Sequence, residues 1–169
     1  MKQKYTVALA GNPNAGKSTI FNALTGSRQH VGNWPGKTVE KKEGNWQADG
    51  QQIQVVDLPG TYSLTAYSIE EVIARDYIVE EHPDLVVMIV DAANIERNLY
   101  LAVQILEMGI KGILALNMSD VAESRGIHID VDQLAAALGV GVVQTVASKE
   151  RGIGDLKQAI LETLQQKED

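Results

Sequence analysis

The sequence contains no cysteine. Disulfides, thiolate metal sites and thiol catalysis are therefore excluded, as a reducing cytosol would permit without requiring it. Long apolar runs are also missing. The longest, residues 85–90, is far short of the ~20 residues that cross a bilayer. The opening MKQKYTVALAGN turns polar too soon for a signal peptide, so the chain is expected to be soluble. Histidine is scarce. His30, His82 and His128 are scattered, without the clustering a metal site needs, and are expected at the surface. Basic residues are the minority, 15 against 22 acidic, for a formal net charge of -7. That balance argues against nucleic acid as the main partner but allows a locally positive pocket. Repeats, low-complexity segments and interdomain linkers are absent too. Residues 1–169 are therefore expected to form one domain with a sizeable core.

What is present is a regular alternation of short apolar runs and helical patterns. Strands are expected at residues 5–10, 39–47, 52–57, 85–91, 112–117 and 142–146. Helices are expected from 19–24 and over 70–81, 95–107, 131–138 and 154–165. Asp49-Gly50 marks a hairpin turn, and Ser68 with Glu71 forms a capping-box pattern. Strands alternating with helices imply an α/β fold. The expected sheet is six-stranded and mostly parallel, with one antiparallel edge strand from the hairpin and helices on both faces.

The first strand runs into GNPNAGKST, residues 11–19. This is G-x-x-x-x-G-K-[ST] between a strand and a helix, the context a phosphate loop requires. Successive backbone N–H groups can curl around an anion there, and the helix N-terminus adds its dipole. Gly11, Asn14, Ala15, Gly16, Lys17, Ser18 and Thr19 form the expected phosphate-binding set. Lys17 would neutralise β- and γ-phosphates, and the Ser18 hydroxyl would be a magnesium ligand. The hairpin's return strand ends in DLPG, residues 57–60. Asp57 is expected to hold magnesium through a water, and Gly60 to bring its N–H to the γ-phosphate. ALNMSD places Asn117 and Asp120 just past another strand. A carboxylate there accepts from N1–H and the 2-amino group of guanine, and adenine offers neither donor in that geometry. Met118 stands where many GTPases have a lysine whose stem covers the purine, and a flexible thioether can partly fill that role. In TVASKERG the Ala147 N–H is expected to meet guanine O6 beside Ser148, with Lys149 over the base. GTP or GDP with Mg2+ is the implied ligand set, and a P-loop GTPase of the Ras-like G-domain type is the implied fold.

HVGNWPGKTVE, residues 30–40, falls between the phosphate-loop helix and the hairpin. In this architecture that connection is the first switch, and Thr38 is the threonine expected to reach magnesium when γ-phosphate is present. Arg28, His30, Asn33 and the glycines belong to a segment that orders with GTP. The segment shows no periodicity before Thr38, so Trp34 has poor prospects of deep burial. It is expected to cross the nucleotide, mark a partner surface or simply dock the loop.

GNPNAGKST, LTGSRQHVGNWPGKTVEKKEG, VDLPGTYSL, VDAANIERNLYL and ALNMSD together resemble the N-terminal G domain of the ferrous iron transporter FeoB family, from about Val7 to about Leu156. The methionine in NMSD is the usual state in that family. The resemblance implies a domain at the cytoplasmic face of the membrane, followed by a helical domain and a membrane permease that lie outside this chain and would be its partners. A homo-oligomer is a further expected arrangement, and nucleic acid is not. Thr61 follows DLPG where Ras-like switches carry a water-orienting glutamine, so slow intrinsic hydrolysis is expected. The resemblance offers a substitute: Asn14, with backbone carbonyls near Gly32 and Trp34, would hold a potassium ion against the phosphates. The expected catalytic set is then Asn14, Lys17, Thr38, Gly60 and Thr61. A GTP-hydrolysing switch for iron(II) transport is the leading expectation. A ribosome- or RNA-associated GTPase and a nucleotide-gated interaction module are the alternatives.

Overall fold

The computed structural model describes residues 4–166, so the first and last three residues of the expected domain lie outside the described residues. β1 (Lys4–Gly11) leads to α1 (Lys17–Thr25), then to β2 (Gln29–Asn33), β3 (Glu40–Ala48) and β4 (Gln51–Asp57). α2 (Ile69–Glu81), β5 (Leu85–Asp91), α3 (Ile95–Glu107) and β6 (Gly112–Asn117) follow. α4 (Ser119–Ser124), α5 (Val131–Leu138), β7 (Gly141–Gln144) and α6 (Ile153–Gln165) complete the order. The sheet runs β2-β3-β4-β1-β5-β6-β7. β1 pairs in parallel with β4 and β5, and the parallel pairing continues through β6 to β7.

The sheet has seven strands rather than six; as expected, one strand of the hairpin, β3, runs against the others, and β2 pairs antiparallel on its outer side and forms the edge. The extra strand, β2, has all five residues exposed. It is held by its backbone ladder to β3, in register from Gln29 opposite Gly44 to Asn33 opposite Glu40. A strand that buries no side chain leaves no alternation in the sequence to find. The hairpin is as expected: Asp49 and Gly50 form the two-residue loop with φ of 52° and 74°, the positive pair of a type I′ turn. Ser68 caps α2 by accepting the Glu71 N–H at 3.1 Å.

Period-two alternation in β1 feeds two cores. Tyr5, Val7 and Leu9 join Ile20, Phe21 and Leu24 of α1 and Leu156 and Ile160 of α6 on one face. Ala8 and Ala10 join Ile73 and Ile78 of α2 and Leu101 and Ile105 of α3 on the other. β5 lies mid-sheet and is buried on both faces, which is why LVVMIV is apolar without a break.

Trp34 overturns an expectation: it is only 7% exposed. The β2–β3 ladder folds the chain back over the second core. There the indole meets Tyr77 of α2 edge-on, with centroids 5.6 Å apart, and Lys41 Nζ lies 4.7 Å from the ring centroid. Burial pushes the Tyr77 phenol up to about 12, and Glu81, Glu43 and Asp84 add to the rise. The unfolded chain ionises its tyrosines near pH 10. Tyr77 therefore contributes its stability in full below about pH 10, and that contribution is lost as pH rises through 12. Tyr77→Phe should flatten this alkaline loss while changing little at pH 8. Urea unfolding between pH 8 and 12 would measure it, and parallel curves for the two proteins would contradict it.

Candidate nucleotide site

Residues 12–16 join β1 to α1, and the site forms around that junction. Asn14 takes φ 68° and Gly16 φ 97°, so the loop turns twice through the left-handed region. Gly16 has a second reason to lack a side chain, since a β-carbon there would overlap Asn117 Nδ2. Gly16 is also the residue before α1, and no side chain caps the helix; nor is any acidic residue in its first turn. Its first N–H groups and dipole are thus left for an anion. Ser18 and Thr19 are exposed in that first turn, while Ala15 is buried beneath the loop.

Lys17 at the start of α1 forms an ion pair with Asp57 at the end of β4. Their side chains are 11% and 8% exposed. Burial holds the Asp57 carboxyl above its ordinary range, and Lys17 opposes that shift. The following DLPG segment is strapped to the phosphate loop. Leu58 N–H donates to the Leu9 carbonyl at 3.0 Å, and Thr61 N–H to the Gly11 carbonyl at 3.1 Å. Gly60 lies so close to Pro13 that a β-carbon on it would sit 3.2 Å from Pro13 Cα. Thr61 is buried.

Asn117, at the end of β6, braces the two halves of the site. Its Nδ2 donates to the Ala15 carbonyl at 2.9 Å. Its Oδ1 accepts from the Thr145 hydroxyl at 3.0 Å and from the Ala147 N–H at 3.1 Å. The Ala147 N–H expected to face guanine O6 is therefore engaged by Asn117. Met118, with φ 60°, lies beside the phosphate loop: its Cε would be 3.9 Å from a β-carbon on Gly16. Asp120 Oδ2 and Lys149 Nζ are 3.2 Å apart, and the hydrogen bond from Lys149 leads in holding the Asp120 carboxyl below its usual value. Ser148 is exposed in the 3-10 turn that carries Lys149.

The first-switch residues are less tightly gathered. Thr38 is exposed in a turn closed by Trp34 N–H to the Val39 carbonyl, 3.0 Å, and Lys37 N–H to the Trp34 carbonyl, 2.9 Å. Gly32 lies in the β2–β3 ladder opposite Lys41, and Asn14 is exposed at the tip of the phosphate loop. In this arrangement the Trp34 carbonyl serves the turn. Asn12 escaped the sequence reading. It follows Ala8 and Ala10 in period-two register and is buried at 3% exposure. A polar residue extending a buried alternation was the available signal.

Among the described residues, no group of three or more histidine, aspartate or glutamate side chains is placed to hold a metal ion. Of the residues expected to reach Mg2+, Asp57 is paired with Lys17, Ser18 is exposed at the start of α1, and Thr38 is exposed in the turn at residues 34–39. No helix among the described residues is long and apolar enough to cross a membrane.

A phosphate loop, a DLPG segment and an NMSD segment at one end of a mostly parallel sheet define a Ras-like G domain. The chain belongs to the family described as Ferrous iron transport protein B, which it matches over residues 5–160. It is 54% identical over 162 residues to the Fe(2+) transporter FeoB of Escherichia coli strain K12. That alignment covers 94% of this chain and 21% of the transporter, so the chain spans about a fifth of its length. Among solved structures it is similar to the FeoB G domain of Methanococcus jannaschii, with 55% identity, a TM-score of 0.86 and coverage of 98% of this chain and 100% of that one. The cytosolic domain of T. maritima FeoB in its GMPPNP form is 49% identical, with a TM-score of 0.92 over 96% of this chain and 64% of that one.

The Asn117 contacts carry a prediction about stability. Asn117→Ala leaves a buried carbonyl, hydroxyl and N–H without their partner. It should cost about 3 kcal/mol even with no nucleotide present. Urea unfolding of the nucleotide-free domain measures this. An unchanged midpoint would mean that Asn117 serves only the ligand.

Proposed function

We propose that this chain is a GTP-binding and slowly GTP-hydrolysing switch domain, spanning residues 1–169, that regulates ferrous iron passage through the membrane portion of a longer transporter. In that protein it would sit at the cytoplasmic face, with a helical domain and a permease as its partners. The observation carrying the reading is the uncapped start of α1, with Lys17 and Asp57 beside it. Family membership favours it over an RNA-associated GTPase. GDP and GMPPNP forms of the T. maritima relative's cytosolic domain add support for a guanine nucleotide.

Phosphates arriving at α1 compete for Lys17 and draw it from Asp57, which frees that carboxylate to face the cation. Bound Mg2+ would neutralise charge on the β- and γ-phosphates. Gly60 would offer its N–H to the γ-phosphate, and Thr38 its hydroxyl once the turn at residues 34–39 opens. Asp120 would accept from N1–H and the 2-amino group of guanine, with Lys149 moving from the carboxylate to the face of the base. Met118 would pack against the purine, beside Asn117, and the 3-10 turn of Ala147, Ser148 and Lys149 would close that side. Thr61 has no group able to orient water as glutamine does, so hydrolysis would be slow unless charge is supplied otherwise. Asn14, exposed at the loop tip, with the Gly32 and Trp34 carbonyls, is our choice for a potassium site that supplies it.

Base selectivity tests the reading. Wild type should prefer GTP over ATP by about 10⁴-fold or more. Asp120→Asn should weaken GTP binding by several kcal/mol and shift preference toward xanthine nucleotides. Competition titrations decide this, and equal binding of ATP and GTP by wild type would sink the assignment. Potassium should speed single-turnover hydrolysis about tenfold over sodium at equal ionic strength, or ~1.4 kcal/mol. Asn14→Ala should erase the difference and leave GDP affinity largely intact. Equal wild-type rates in the two salts would send the search to a partner acting in trans.

A further inference from the structure

Among the described residues, the buried side-chain polar atoms without a hydrogen-bond partner are Nδ2 and Oδ1 of Asn12 and Nε1 of Trp34. Trp34 lies in the first switch. Asn12 lies against the second, because its two chain neighbours are the points where that switch meets the phosphate loop. The Gly11 carbonyl accepts the Thr61 N–H at 3.1 Å, and Pro13 abuts Gly60. A side-chain amide carries two donor hydrogens and an acceptor oxygen, and burying all of them unpaired is costly. Asn12 is 3% exposed, so bulk water does not relieve that cost. One unsatisfied group thus falls in the first switch and the others lie beside the second, and Asn12 has both of its polar atoms unpaired.

We propose that Asn12 is a positioning residue for the second switch. With GTP bound, its amide pairs with a peptide group of residues 60–62. That peptide offers one N–H and one carbonyl, which match the amide one for one. To reach a γ-phosphate, Gly60 must shift across Pro13, and its neighbouring peptide then turns away from the Gly11 carbonyl. Asn12 is a buried amide whose chain neighbours, Gly11 and Pro13, already touch Thr61 and Gly60. It therefore holds the Gly60 N–H on the phosphate without touching the nucleotide. This rests on the proposed function and deepens it: the amide is unpaired in this structure, and the proposal is that it stays so with GDP and is satisfied with GTP, which biases the domain toward the triphosphate state.

The test compares wild type with Asn12→Ala and with Asn12→Leu, which fills a similar volume without polar atoms. Affinities for GDP and GMPPNP and the Tm of the GDP complex are measured for each version of the 169-residue chain. The GMPPNP-to-GDP affinity ratio should fall about tenfold in both variants. In Asn12→Leu the Tm of the GDP complex should rise by roughly 2–4 °C, because an unpaired amide has gone. A residue that merely filled space would leave the ratio alone. An unchanged ratio in both variants overturns the proposal. So does a lowered Tm of the GDP complex in both, since that would mean the amide is already satisfied there. Failure of the wild type to bind either nucleotide would instead strike the proposed function, and this inference with it.

Discussion

The Asn117 side chain offers four hydrogen-bonding positions, and three of them are used inside the protein. They tie the phosphate loop, the end of β6 and the loop after β7 to one another. Much of the site's geometry follows from this. The phosphate loop can lie against Asn117 only because Gly16 has no β-carbon. Met118, one residue on, is thereby set beside Gly16, and the chain turns through a positive φ to start α4 with Asp120 near its beginning. The segments proposed to meet phosphate and base are thus held together by a single buried amide.

The other organising force is electrostatic. Lys17 and Asp57 are both largely buried, and neither would be tolerated there alone. Burial works against the charged form of Asp57, so their pairing offsets part of a cost that the fold does not otherwise require. A pair of apolar residues would pack there without that penalty. Retaining two charges makes sense where a third participant, carrying phosphate and a divalent ion, can separate them. Lys149 and Asp120 repeat the arrangement at the base end, in a more exposed setting where the pairing is weaker and more readily exchanged.

Much of this was legible in the sequence because chemistry leaves few choices of residue. A loop that bends around phosphate needs Gly11 and Gly16, a hairpin of two residues suits Asp49 and Gly50, and a mid-sheet strand must be apolar like residues 85–90. The parts that were not legible have no such fingerprint. β2 buries no side chain, so its pairing is written only in its backbone. Trp34 has unremarkable loop neighbours, and its burial comes from Tyr77, distant in sequence and brought close by α2. α4 is only six residues long, too short for a helical period to establish itself. Asn12 was hidden for a different reason: within a phosphate-loop motif, attention goes to the residues that face the ligand, and Asn12 is buried instead.

β2 is the outermost strand at one edge of the sheet, and all five of its residues are exposed. It also runs directly into the segment assigned to the first switch. A domain whose edge strand belongs to a moving part faces a colloidal problem. When that strand peels off, the next one inward presents unpaired N–H and carbonyl groups to any similar edge. Here the strand so uncovered is β3, which opens Glu40-Lys41-Lys42-Glu43. Four consecutive charged residues, two of them lysine, are poor templates for a second chain. The charged start of β3 would thus guard the newly bared edge against pairing with another chain if β2 detached.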